Sequence, residues 1–240
     1  MPFIERYTNV KNGGILFCGN TLGLSKIANQ TAPGTEGSIG AFTSLNTALQ
    51  VGTFPQGTTL DYTLNGSRAN LNLPAGSTVL YAELVWGGLF RSENNNISSL
   101  INNSIKFTTP LGSNTIAPDA ATAQTFNIDV DETTIGFYVR TANVTNLVQA
   151  ALSGSYAVES VPALIEAIDN VTQDTNHAGW TLAVAYENPN EDLRNLTIWA
   201  GGTVVSPDAG STTITVSNFL TPVQPPVSGK IFVSASEGDA

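Results

Sequence analysis

The sequence predicts an all-β fold, a two-sheet β-sandwich of jelly-roll type with one or two short helices. Three observations predict it. Apolar runs of strand length recur almost from end to end, bounded by Gly, Pro, Asn and Ser, which is the spacing of a sandwich or barrel. Charged residues make up only 12% of the 240, so the polarity of the surface must come from Ser, Thr and Asn, about three residues in ten. Short polar side chains of that kind compete for backbone hydrogen bonds and work against long helices.

Taken in order, Gly14 to Gly19 places Ile15, Leu16, Phe17 and Cys18 between glycines and reads as a strand buried on both sides. Asn20 to Thr53 offers little periodicity beyond short strands at Ile39 to Phe42 and Leu45 to Val51. Thr58 to Leu64 and Ala69 to Leu73 alternate, and Asn65-Gly66-Ser67 between them has the turn chemistry of a hairpin. Val79 to Leu84 runs on to Trp86, with Tyr81 and Glu83 interrupting an otherwise apolar mid-sheet strand; Gly87-Gly88 ends or bulges it. Ser104 to Thr108, Thr125 to Val130, Thr134 to Arg140, Thr181 to Tyr186, Leu196 to Trp199, Thr212 to Val216 and Lys230 to Ala235 complete about a dozen strands. Helical spacing appears at Asn143 to Ser153, stopped by Gly154, and over Val161 to Ile168, with Pro162 in the first turn. No internal repeat or linker divides the chain, so residues 1–240 read as one domain.

Charge excludes function classes. Nine Lys and Arg against nineteen Asp and Glu leave a net charge of -10, and no cationic face to bind nucleic acid or anionic lipid. No apolar run reaches the roughly 18 residues that membrane insertion needs. One cysteine excludes an internal disulfide and multi-cysteine metal centres. Met1 to Asn9 lacks the cationic start and apolar stretch of a signal peptide.

Individual residues give weak chemical signals. His177 follows Asp174 closely enough to suggest a general base, yet no second histidine or Gly-x-Ser-x-Gly elbow accompanies it, and a loop-fixing role is favoured. Cys18, within an apolar strand, reads as a small buried hydrophobe, against a reactive thiol or a thioester with Gln30, Gln50 or Gln56. Lys11, Lys26, Lys106 and Lys230 are the lysines available for a lysine–asparagine amide crosslink, which also needs a buried carboxyl group. Asp129, Asp131 and Glu132 set hard oxygen ligands at alternating positions, as calcium prefers, but the twelve-residue calcium-loop pattern is missing. Trp86, Trp180 and Trp199 are the candidate sugar-stacking residues, with core burial the favoured reading of each. Glu83 with Glu187 is the one pair that would suit a jelly-roll glycosidase, if they faced each other across a cleft.

Three segments are more specific than composition: Tyr81 to Gly88, Gly136 to Thr145, and Gly179 to Pro189 with its continuation Leu193 to Gly202. They resemble the N-terminal β-rich head domain of large, repeat-containing, adhesin-like surface proteins of spore-forming Gram-positive bacteria, over about Val10 to Ala235. The resemblance implies a non-enzymatic adhesive or structural domain on a cell or spore surface, and this chain as the head of something longer. It transfers no catalytic residue. The partners it implies are a surface glycan or matrix protein, or other copies of the chain. A spore layer, which the mother cell builds without secretion, accommodates the missing signal peptide. A carbohydrate-binding module is the rival reading and predicts an exposed tryptophan; the structural reading predicts all three buried.

Overall fold

The computed structural model describes residues 3–28, 30–35, 37–130, 133–166, 175–205, 212–217 and 229–235. The fold is all-β, with thirteen strands and one helix among the described residues: β1 (Phe3–Thr21), β2 (Gly23–Ser25), β3 (Ile39–Thr43), β4 (Thr58–Thr59), β5 (Gly66–Leu71), β6 (Thr78–Arg91), β7 (Ile105–Thr109), β8 (Gly112–Ile116), β9 (Gln124–Val130), β10 (Thr133–Asn143), α1 (Thr145–Ala151), β11 (Gly154–Glu159), β12 (Ala178–Glu187) and β13 (Leu193–Gly201). The strands form a six-stranded sheet ordered β13-β1-β12-β6-β10-β9, a four-stranded sheet ordered β5-β11-β7-β8 and a small sheet β2-β3-β4. Every pairing is antiparallel.

One apolar core lies between the two large sheets. Alternation puts Leu84, Trp86, Tyr138, Leu182 and Val184 of the six-stranded sheet against Leu71, Phe107, Tyr156 and Val158 of the four-stranded one. Tyr156 stacks on Phe107 with ring centroids 5.7 Å apart, and the indole N–H of Trp180 crosses the gap to Ser67 Oγ at 2.9 Å. The two sheets thus pack face to face, as in a sandwich.

The 19-residue β1 serves two partners in succession. Its second half, Gly13 to Thr21, pairs with β12, and its first half, Phe3 to Asn12, pairs with β13. Between them Gly13 adopts φ +155°, and a Cβ there would stand 2.0 Å from the Tyr186 carbonyl oxygen. Only glycine permits that bend. The ribbon of Phe3–Asn12 and β13 consequently lies over the outer face of the six-stranded sheet. Tyr7 stacks on Tyr81 at 5.3 Å, and Ile198 packs with Tyr81, Ala183 and Ala185 in a second apolar cluster.

Several local expectations are corrected. Tyr62–Leu64 is a 3-10 turn capped by Asp61, so the hairpin expected around Asn65-Gly66-Ser67 does not form; β5 pairs with β11 instead. Asn65, just before β5, is buried and bonds through both side-chain ends to the backbone of Val161, in place of a ladder rung. The expected second helix fails over Val161 to Glu166, which carries no helix; Ser160 has φ 62°, and Val161 and Ala163 are buried as an irregular run. Residues 167 and 168 lie outside the described residues. Leu45 to Val51 forms turns around an isolated bridge from Gln50 to Gln56. Gly87-Gly88 does not end β6, which runs on to Arg91 and bulges at Phe90. Ile15 to Cys18 is half-buried rather than buried on both faces, because this half of β1 has one strand neighbour, β12. Residues 212–217 and 230–235 join no ladder, although Phe232 packs on Phe17 and Ser234 bonds Thr181.

Candidate functional site

A buried polar constellation lies under the ribbon. The register of β1 and β13 slips between Glu5 and Tyr7, and the extra residue in that bulge is Arg6. A bulge re-aims a side chain, and the Arg6 guanidinium reaches Glu83 Oε1 at 3.1 Å and Asp119 Oδ2 at 2.7 Å. Glu83 has no solvent exposure. It also accepts from Thr141 Oγ1 at 2.5 Å and from the Tyr81 hydroxyl, while Thr141 shares a 2.7 Å hydroxyl contact with Thr122. Burial, reinforced by the hydrogen bond and charge of Glu83, holds the Tyr81 phenol well above its ordinary pKa. Both carboxylate oxygens are therefore occupied, and the group is a clamp between ribbon and sheet.

Glu187 belongs elsewhere. It pairs with Lys11 at 3.1 Å and stands in register with Thr78, whereas Glu83 stands opposite Ala183. Five positions along β6 separate the two rungs, roughly 17 Å at a strand's rise per residue. That is well beyond the 6.5–9.5 Å or so of an inverting carboxylate pair.

Cys18 faces the inter-sheet core, packed against its apolar cluster, and burial pushes its thiol up to about 11. Gln50 donates to the Phe54 carbonyl and bridges Gln56. His177 is 7% exposed, and its ring lies against Phe137 at 5.1 Å; burial depresses its pKa to about 4, against a weaker opposing hydrogen bond to the Thr175 carbonyl. Its own carbonyl receives Leu89 N–H, so the residue fixes the entry to β12 onto β6.

Trp86 and Trp180 are buried core residues, 1% and 4% exposed, and cannot stack a sugar from solvent. Trp199 departs from the expectation that all three are buried. It is half-buried, and because Ile198 beside it points inward, its indole stands on the ribbon's outward face across from Glu5. Thr197 and Thr8 share that face, joined by a 3.3 Å hydroxyl contact, and Thr197 donates to Asn195.

Asp129 is exposed at the end of β9 and accepts from Thr134 Oγ1 at 2.8 Å. Asp131 and Glu132, the other two calcium candidates, lie outside the described residues. Among the described residues no three His, Cys, Asp or Glu side chains gather as a metal site, and no helix is long and apolar enough to cross a membrane.

An open cleft of about 400 Å³ lies on the outer face of the six-stranded sheet, beside the segment holding Ser234. Gly19, Thr21, Gly179, Thr181, Val85 and Val139 line it. Such a lining offers hydroxyls, peptide edges and methyl groups, which suit a neutral polar ligand and supply no general acid or base.

Sequence reasoning missed the Glu83 clamp and the outward placement of Trp199. The available signal for the first was the pair Tyr81 and Glu83 at i and i+2 in an apolar strand, which puts both on one face. No protein-family model, curated protein or solved structure matches the chain.

Proposed function

We propose that the chain is a non-enzymatic domain of a cell or spore surface, adhesive or structural in role, built as a jelly-roll sandwich. The strand order supports the fold. Counting β1, β5, β6, β7, β8, β10, β11 and β12 as one to eight, the two large sheets contain the runs one-eight-three-six and two-seven-four-five, the order that nested Greek keys give. β9 and β13 then extend the first sheet at its ends.

One observation carries the functional reading: the three groups singled out for acid–base or nucleophilic chemistry, Glu83, His177 and Cys18, are turned into the fold as structural elements. Glu83 clamps the ribbon, His177 is held neutral against Phe137, and Cys18 faces the core. What the described surface presents instead is threonine, asparagine and glycine with isolated aliphatic side chains, such as Leu111 and Leu193. A surface of this kind makes contacts by hydrogen bonding and apolar area, without catalysis. The resemblance to adhesin-like head domains points the same way.

A second reading is favoured by one residue. Trp199, half-exposed beside Thr197, Asn195 and Glu5, is the arrangement by which a carbohydrate-binding module stacks and hydrogen-bonds a sugar. A glycan and matrix-protein array, run with the folded domain in calcium and in chelator, tests both. Saturable binding to a matrix protein or to sister copies supports the adhesive reading. Glycan binding lost in Trp199→Ala supports the module. Calcium dependence would direct mutation to Asp129, Asp131 and Glu132. Turnover of a bound glycan would refute the non-enzymatic reading.

A further inference from the structure

Arg140 is a buried cation that no carboxylate answers among the described residues. It is 3% exposed. Arg6, Lys11, Lys106 and Arg194 each pair with an Asp or Glu side chain, and Arg140 pairs with none of those described. Taking a guanidinium out of water without a counter-ion is costly unless other groups meet its charge. Burial pulls its pKa below the usual value, with Tyr138 opposing, and an arginine nonetheless stays charged at neutral pH.

The strand pattern puts it there. Tyr138 and Arg140 stand at i and i+2 of β10, so both face the inter-sheet core, and the guanidinium carbon lies 5.3 Å from the centre of the Tyr138 ring. β9 begins at Gln124, opposite Val139, so Arg140 is the first residue of β10 past the β9 ladder. At that point its side chain collects neutral acceptors. Nη1 donates to the carbonyls of Gln124 at 2.6 Å and Val139 at 2.8 Å, and Nε donates to Asn102 Oδ1 at 2.8 Å. Carbonyl dipoles and a ring face offset part of the desolvation and leave the charge itself unneutralised.

Donors are left over at this spot. Nη2 has no partner among the described residues and is not sealed from solvent. An arginine can only donate, so Asn102 must turn its oxygen towards Nε and keep its amide nitrogen as a donor. Asn102 is exposed, and that nitrogen has no partner among the described residues either. Opposite Arg140 on β6, the indole N–H of Trp86 is buried without an acceptor. Through Nε and Oδ1, Arg140 Nη2 and Asn102 Nδ2 stand at most about 7 Å apart, a span that one carboxylate covers by accepting a bond at each oxygen. A single positive charge matches a singly charged carboxylate better than a phosphate, and the net charge of -10 opposes a polyanion.

We propose that Arg140 Nη2 and Asn102 Nδ2 bind one carboxylate group at the edge of β10, free or carried on a sugar. The carboxylate supplies the charge-assisted acceptor that the buried guanidinium lacks. The adhesive and structural readings neither require this site nor fail with it.

Nuclear magnetic resonance of the folded, full-length chain, isotope-labelled at its arginines, reads the site directly. The five arginines give five Nε–H signals. Asn102→Ala, a change at an exposed side chain, identifies the Arg140 signal because it removes the acceptor of that N–H. Arg140→Lys deletes the same signal and gives a second assignment. Sodium formate, glucuronate and phosphate are each titrated in exchange for chloride at constant ionic strength. The expected result is a saturable shift of the Arg140 signal with formate, and a melting temperature raised by roughly 3–6 °C at about ten times the dissociation constant. Affinity should fall about tenfold in Asn102→Ala, which loses a hydrogen bond to a charged group. A matching shift with glucuronate supports a site open to a sugar-borne carboxylate, whereas a shift with formate alone supports one confined to small carboxylates. No saturable shift of any arginine signal, or a shift at an arginine other than the one Asn102→Ala identifies, would overturn the proposal. A response to phosphate equal to that to formate would overturn the carboxylate assignment.

Discussion

Replacing Arg6 by Met should destabilise the protein more than any other single change in the ribbon. Glu83 is fully buried, and Arg6, itself 16% exposed, is the cation bonded to it. Removing one partner of a buried ion pair leaves an uncompensated charge and costs about 3–5 kcal/mol. Arg6 keeps some solvent contact, so the low end, about 3 kcal/mol, applies. For a domain of this size that lowers the melting temperature by roughly 6–12 °C. The tyrosine and threonine hydroxyls still bond an amide at position 83, so Glu83→Gln alone loses the charge and retains part of the network. In the double variant neither charge remains buried, and the cycle should show coupling of at least about 1.5 kcal/mol. Urea unfolding followed by far-ultraviolet circular dichroism measures all four proteins. An Arg6→Met cost below about 1 kcal/mol, or single effects that add within about 0.5 kcal/mol, would refute the clamp.

Three further outcomes are expected. Because burial depresses the folded-state pKa of His177 to about 4 against an unfolded value near 6.5, the unfolded chain binds the proton first. Its contribution to stability is intact above pH 6.5 or so and is lost as pH falls towards about 4, by on the order of 3 kcal/mol; His177→Phe should flatten the stability profile in that window relative to wild type. Gly13→Ala, which puts a Cβ 2.0 Å from the Tyr186 carbonyl oxygen at φ +155°, should cost about 3 kcal/mol in urea unfolding, while Gly76→Ala, with open space around it but φ +81°, should cost about 1 kcal/mol. Cys18, with its thiol raised to about 11 and its side chain in the core, should react with a disulfide reagent at pH 8 at least tenfold more slowly in the folded than in the urea-unfolded chain.

The strands that alternate against one core were readable because their pattern is local. Val79 to Trp86 and Thr181 to Tyr186 carry the apolar period that the two adjacent central strands require. Residues 3–12 were not readable as a strand, since a ribbon lying on another sheet buries few of its side chains and shows no clean alternation. Nor could the sequence reveal that Arg6 meets Glu83, 77 residues away, or Asp119, 113 away, since a bulge and a bend at glycine bring them together. Asn65-Gly66-Ser67 misled because the asparagine uses its side chain to bond Val161, which a turn signal cannot distinguish from its own backbone. Val161 to Glu166 misled because an irregular buried run and one helix face share apolar spacing. Trp180 at the core and Trp199 on the outside both follow the same strand alternation, and only the fold-back of the ribbon separates them.

Labelling intact cells and spores of the source organism with an antibody to this domain, before and after permeabilisation, tests the surface assignment most directly. The account predicts label on the intact exterior, removed by external protease. Label that appears only after permeabilisation would contradict it.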